Sequence, residues 1–184
     1  MLLSPSPSAW LDRVLVDLDT LLVDHAHCEK RAASVVLGFS FRAPEHEFAG
    51  AMSRLAREEL IHFEMVQHEL RRRGRDFEAL APSRYAAELA KGARRKDLHE
   101  SMADSLVIAA LIEARSHERL VLLRDAVSDS HLQALYAALV EAESRHASQL
   151  LELAARWSEP RLSYFATREA ELIAAGEPIV RMHS

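Results

Sequence analysis

A chain of 184 residues with one cysteine, five glycines and six prolines fits a single domain that buries its own core, and it has no cysteine pair from which to build an internal disulfide framework. A formal charge of −5 gives no global attraction to nucleic acid, so such a partner would have to meet a local basic patch. The opening Met1-Leu2-Leu3-Ser4-Pro5-Ser6-Pro7-Ser8 lacks the charged start and apolar run of a signal peptide, and no later stretch is long and apolar enough to span a membrane, so a soluble cytoplasmic protein is expected.

Abundant Ala, Leu, Glu and Arg favour helix over strand. From Ser8, a suitable N-cap, the first helix is expected to run from about residue 9 to Gly38, with a seam of Leu11, Val14, Leu18, Leu21, His25, Cys28 or Glu29, Ala32 and Val35. Pro44, with Glu45 and Glu47 behind it, suits the start of a second helix. Its seam reads Phe48, Met52, Leu55, Glu59, His62, Val66 and Leu70 or Glu69, and it ends at Arg71-Arg72-Arg73 before Gly74. Residues 74 to 96 break the pattern around a short helix at Ser83 to Lys91, a connection long enough to cross a bundle. A third long helix follows from about Lys96 to Val127, with Met102, Ser105, Ala109, Ile112 or Glu113, Ser116, Leu120 and Leu123 inward.

The turn at Ser128 and Asp129 is short, so the next helix should return antiparallel. At 1.5 Å per residue, Glu113 and Glu143 both lie about 20 Å from that turn and come level. The fourth seam is Leu132, Leu135, Leu139, Glu143, His146, Leu150, Leu153 and Trp157; Pro160 follows its end, and residues 161–175 form a further helix. Short, long and short connections give an all-α, ferritin-like four-helix bundle with one long crossover: a single domain over residues 1–184, its core bundle at about 9–157.

One pattern occurs twice in these seams. Glu29 stands as far before Glu59-Leu60-Ile61-His62 as Glu113 does before Glu143-Ser144-Arg145-His146, so one constant offset carries each member of the first set onto its counterpart in the second. The same offset relates Phe48 to Leu132, Leu55 to Leu139, Val66 to Leu150, and Arg31 to Arg115. Residues three apart share a helix face, so each Glu-x-x-His can hold one metal while a lone glutamate reaches in from a neighbouring helix. Four carboxylates and two imidazoles suit a pair of iron or manganese ions better than structural zinc or calcium.

Other groups fit less well. Asp24-x-x-His27 falls off the seam, His25 stands one turn before Glu29, and His117 stands one turn after Glu113, but none has a counterpart at the repeat offset. Glu58, Glu64 and Glu118 read as solvated or supporting groups, and Cys28 as a small buried residue. Two basic clusters, Arg71, Arg72, Arg73 and Arg75 and then Arg94, Arg95 and Lys96, flank the crossover.

Glu-Lys-Arg-Ala at Glu29, Glu-Glu-Leu-Ile-His ending at His62, Glu-Ala-Arg-Ser at Glu113 and Ala-Glu-Ser-Arg-His ending at His146 resemble the tRNA 2-methylthio-N6-isopentenyladenosine hydroxylase family, from Trp10 through the fifth helix. The resemblance implies a non-haem di-iron monooxygenase that hydroxylates the isopentenyl side chain on the adenosine next to the anticodon. It assigns two iron ions to Glu29, Glu59, His62, Glu113, Glu143 and His146, with no catalytic side chain beyond these ligands. O2 is then a co-substrate, an external reductant or electron-donor protein a partner, and the two basic clusters the candidate tRNA contacts. The alternatives are a ferritin-like di-metal protein that stores or oxidises iron or destroys peroxide, and a metal-free helical interaction module.

Overall fold

The computed structural model describes residues 1–43 and 45–184. Pro44, expected in the first turn of the second long helix, lies outside them. Among the described residues there are seven helices and no strand: α1 (Ser8–Val16), α2 (Leu18–Arg42), α3 (His46–Arg72), α4 (Tyr85–Ala90), α5 (Leu98–Ala126), α6 (Ser130–Ala155) and α7 (Leu162–Ala175). No described helix is long and apolar enough to cross a membrane. The chain divides into two compact units, one of Asp17–Ala81 and one of Met1–Val16 with Pro82–Ser184.

The first unit is the α2–α3 hairpin. The continuous first helix expected from the sequence is two helices, because Asp17 takes a non-helical backbone and its carboxylate accepts from the Thr20 backbone N–H, capping α2 afresh. The same helix continues through Gly38 to Arg42. Its seam also differs from the expected one: beyond Glu29 the buried residues are Ala33, Val36 and Phe39, whereas Val35 is 45% exposed. On α3 the buried face is the expected one, with Phe48, Met52, Leu55, Glu59, His62, Val66, Glu69 and Leu70 all buried. Gly74, at φ 67°, supplies the left-handed residue that releases the chain after α3.

The second unit centres on α5 and α6. Asp97 caps α5 by accepting from the Glu100 N–H, and Asp129 caps α6 by accepting from the His131 and Leu132 N–H groups. With only residues 127–129 between them, the two helices run antiparallel, and the His117 ring bonds the Val140 carbonyl at 2.9 Å across the pair. Leu132, Leu135, Leu139, Glu143, His146, Leu150 and Leu153 are all buried, as the periodicity requires.

Charged residues organise much of this unit. Arg115 and Glu169 are both fully buried and meet through two hydrogen bonds, Nε to Oε1 at 2.8 Å and Nη2 to Oε2 at 3.0 Å. Burial alone would lower the Arg115 pKa, but the hydrogen bonds and charge of Glu169 outweigh it and the net shift is upward. The Tyr85 hydroxyl donates to the same Glu169 carboxylate at 3.1 Å, and burial followed by that negative charge holds the phenol pKa well above its ordinary value. One helical turn on, Arg119 donates to Ser6 Oγ and to the Met182 and Ser184 carbonyls, with its guanidinium over the Trp10 ring. Burial, then the neighbouring Arg115 charge, pushes Arg119 down to about 9.

Candidate metal centre

Each unit carries one set of the repeated candidate ligands. In the first, Glu29 lies on α2 and Glu59 and His62 on α3, at 5%, 0% and 7% exposure. His62 Nδ1 stands 3.5 Å from Glu29 Oε2 and 3.5 Å from Glu59 Oε2. These separations are long for hydrogen bonds. They match the spacing between ligands of one metal, since donors about 2.0–2.2 Å from an ion at near-tetrahedral angles lie roughly 3.3–3.6 Å apart. His62 thus stands at ligand spacing from a carboxylate oxygen on each side.

The second set lies on the antiparallel pair. Glu113 is on α5, Glu143 and His146 are on α6, and all three are buried. Glu143 and His146 offer ligand atoms within 4.8 Å of each other, as an i, i+3 pair on one face should. Phe48 and Leu132, Leu55 and Leu139, and Val66 and Leu150 are buried in pairs as well, so the repeat is one of environment as well as letter. It breaks at Arg31 and Arg115, of which the first is exposed and the second fully buried.

Four buried glutamates carry a large desolvation cost unless cations meet them. The buried arginines of α5 are directed elsewhere, Arg115 to Glu169 and Glu118 and Arg119 to Ser6 and backbone carbonyls. A divalent metal at each set would supply charge of the kind hard carboxylate ligands favour, and the donor chemistry of both sets fits one.

Residues outside the repeated sets take defined places. His25, 2% exposed, puts Nε2 at 2.7 Å from Glu29 Oε1. Asp24 is buried despite falling off the expected seam, and Cys28, expected to be buried, is only half-buried with Sγ 3.8 Å from Asp24 Oδ2. Glu118 accepts from the Ser6 backbone and hydroxyl and from Arg115. Glu64 is exposed and Glu58 half-buried.

The basic clusters are less uniform than their sequence suggests. Arg72 forks onto Glu69, Arg73 holds Asp19 at 2.6 Å, and Arg75 lies 3.6 Å from the same aspartate. Arg94 clamps the fully buried Asp104 with Nε at 3.0 Å and Nη2 at 2.8 Å, and Arg161 joins at 3.0 Å. Burial raises the Asp104 pKa, but the Arg94 hydrogen bonds and the two positive charges outweigh it and the net shift is downward. Arg71, Arg75, Arg95 and Lys96 remain on exposed or half-exposed surface.

The family model described as tRNA-(MS[2]IO[6]A)-hydroxylase (MiaE) matches residues 1–184. The chain is similar to a tRNA 2-(methylsulfanyl)-N(6)-isopentenyladenosine(37) hydroxylase of Pseudomonas putida, 37% identical over 98% of this chain and 90% of the relative. A protein of the same name from Salmonella typhimurium is 30% identical over 98% of this chain and 86% of its own. Among solved structures, Protein 43 with aldehyde deformylating oxygenase activity from Synechococcus superposes with a TM-score of 0.91 at 38% identity, covering 100% of this chain and 95% of that one.

Proposed function

The chain belongs to the tRNA-(MS[2]IO[6]A)-hydroxylase (MiaE) family, and on that premise we propose that its two ligand sets together hold a pair of iron ions used to hydroxylate the isopentenyl group of 2-methylthio-N6-isopentenyladenosine in tRNA, next to the anticodon. Glu29, Glu59, His62, Glu113, Glu143 and His146 would be the ligands, and the two units would then form one ferritin-like di-iron domain. The observation that carries this reading is the placement of His62 Nδ1 at 3.5 Å from both Glu29 and Glu59, in a set that the sequence repeats as Glu113, Glu143 and His146. Membership of this family supports iron over manganese.

When bound, the iron pair supplies the oxygen-activating redox chemistry. The overall reaction consumes one C–H bond, one O2, two electrons and two protons, and yields an alcohol and water, so an external donor must provide the electrons. The protein's own residues hold and enclose. Carboxylates are hard anionic ligands that tolerate changes in metal charge, and their burial keeps bulk water from a strongly oxidising centre. A tRNA substrate places the protein in the cytoplasm, and Arg71, Arg75, Arg95 and Lys96 are the side chains we assign to its phosphates.

The test is nucleoside analysis of prenylated tRNA after incubation with iron-loaded protein, oxygen and reductant. We expect the prenyl-adenosine to gain one hydroxyl group. Unchanged tRNA alongside turnover of an aldehyde would favour the activity named for the Synechococcus protein instead.

A further inference from the structure

We infer that a cleft between the end of α3 and the segment that follows it holds one unpaired nucleotide of the RNA, a neighbour of the nucleotide that reacts; the inference rests on the tRNA reading above. The cleft has a volume of about 200 Å3 and is lined by Gln67, Leu70, Arg71, Arg75, Asp76 and Phe77, all within the Asp17–Ala81 unit. Its size suits one flat ring system rather than a larger ligand.

Phe77 sets this place apart from a run of surface arginines. It lies outside any helix, yet it is half-buried and held from both helices of the hairpin. The His27 ring of α2 stands 4.4 Å from it between centroids, the Phe63 ring of α3 meets it edge-on at 5.3 Å, and Lys30 Nζ lies 4.9 Å from its centroid. His27 also bonds the Glu78 carbonyl at 2.9 Å, which pins the next residue of the segment. The part of Phe77 that lines the cleft is therefore an aromatic wall in place before any ligand arrives, and unpaired RNA bases stack on such walls.

The polar groups complete the match. Arg71 donates Nε to the Gln67 carbonyl at 3.3 Å, and Arg75 stands 3.6 Å from Asp19. A guanidinium has five N–H donors, so both arginines keep donors for a phosphate. Asp76 disfavours a bare anion, which its carboxylate would repel, but it can accept from the N–H groups of a base edge, and the Gln67 amide can both donate and accept. Helix α3 itself points to an extended polyanion: Arg54, Arg57, His68 and Arg71 share one exposed face, a run of about 26 Å that leads into the cleft. Arg71 lies about 14 Å along the same helix from His62, so the nucleotide in the cleft is not the one presented to the metals.

The experiment measures binding of an anticodon stem–loop RNA, and of its closed stem duplex without the loop, over a range of salt for wild type, Phe77→Leu, Phe77→Trp and Asp76→Ala. We expect Phe77→Leu to weaken stem–loop binding about 5–150-fold, the cost of one lost stacking partner. Its salt dependence should not change, because no phosphate contact is removed, and duplex binding should stay as in wild type. Phe77→Trp should restore stem–loop affinity. Equal stem–loop affinities for wild type and Phe77→Leu, the same loss on the duplex, or no recovery with tryptophan would overturn the inference. If the leucine variant does not fold, Asp76→Ala decides: weaker stem–loop binding supports the base contact, whereas unchanged or tighter binding, the result of merely removing a repelling charge, overturns it. No stem–loop binding by wild type would remove the tRNA reading together with this inference. Hydroxylation of tRNA by wild type, with stem–loop binding unchanged in Phe77→Leu, would leave that reading standing and remove this inference alone.

Discussion

Glu143→Ala should leave fewer than two irons per chain and lower tRNA hydroxylation by more than roughly 100-fold, beyond what loss of a mere supporting partner costs. Glu143 is 1% exposed and shares a face with His146 on α6, so alanine removes one proposed anionic ligand and gives nothing in exchange. The fold should survive, because deleting a buried charge also removes its desolvation cost. Elemental analysis of the purified variant, beside its helical circular dichroism, checks both halves of the expectation. Full iron content in a folded variant would remove Glu143 from the ligand set.

The largest expected effect on stability lies away from the metal ligands. Glu169→Leu should cost about 3–5 kcal/mol, the usual result of deleting one member of a buried ion pair. At this chain length that lowers the melting midpoint by about 6–20 °C. The size follows from what is left behind: Arg115 and Arg119 are both fully buried, and with Glu169 gone Arg115 is left with the part-exposed Glu118 carboxylate. Tyr85 loses the acceptor of its hydroxyl at the same time. Arg115→Met together with Glu169→Leu should recover much of the loss, since it removes the stranded charge. Thermal denaturation of the three proteins decides this, and an unchanged midpoint for Glu169→Leu would show that the pair contributes little.

The parts of this fold legible in the sequence are those governed by long, regular periodicity. On α3 and α6 the three-and-four spacing runs unbroken through Glu59-x-x-His62 and Glu143-x-x-His146, and all four of those side chains are buried. On α2 the spacing misled. Leu18 continues the rhythm of Val14, so nothing in the apolar pattern marks Asp17, whose side-chain cap ends one helix and begins the next. Further along, Ala32 and Val35 look as suitable for burial as Ala33 and Val36, and only packing chooses the second pair.

Charged residues are the harder case. Arg115 and Glu169 are 54 residues apart, and each alone looks like a solvated helix residue; their mutual burial is a long-range fact. Arg94 reads as a candidate phosphate contact, yet it is largely committed to Asp104. His25 stands in the seam one turn before Glu29, and the lack of a matching histidine in the second set argues against it as a ligand.

The most direct measurement of whether the repeated set makes one centre is the Mössbauer spectrum of fully oxidised, 57Fe-loaded protein. Two irons per chain, coupled so that the pair has no net spin at low temperature, are the result expected if Glu29, Glu59 and His62 meet Glu113, Glu143 and His146. Magnetically isolated high-spin ferric ions, or a single iron per chain, would contradict it.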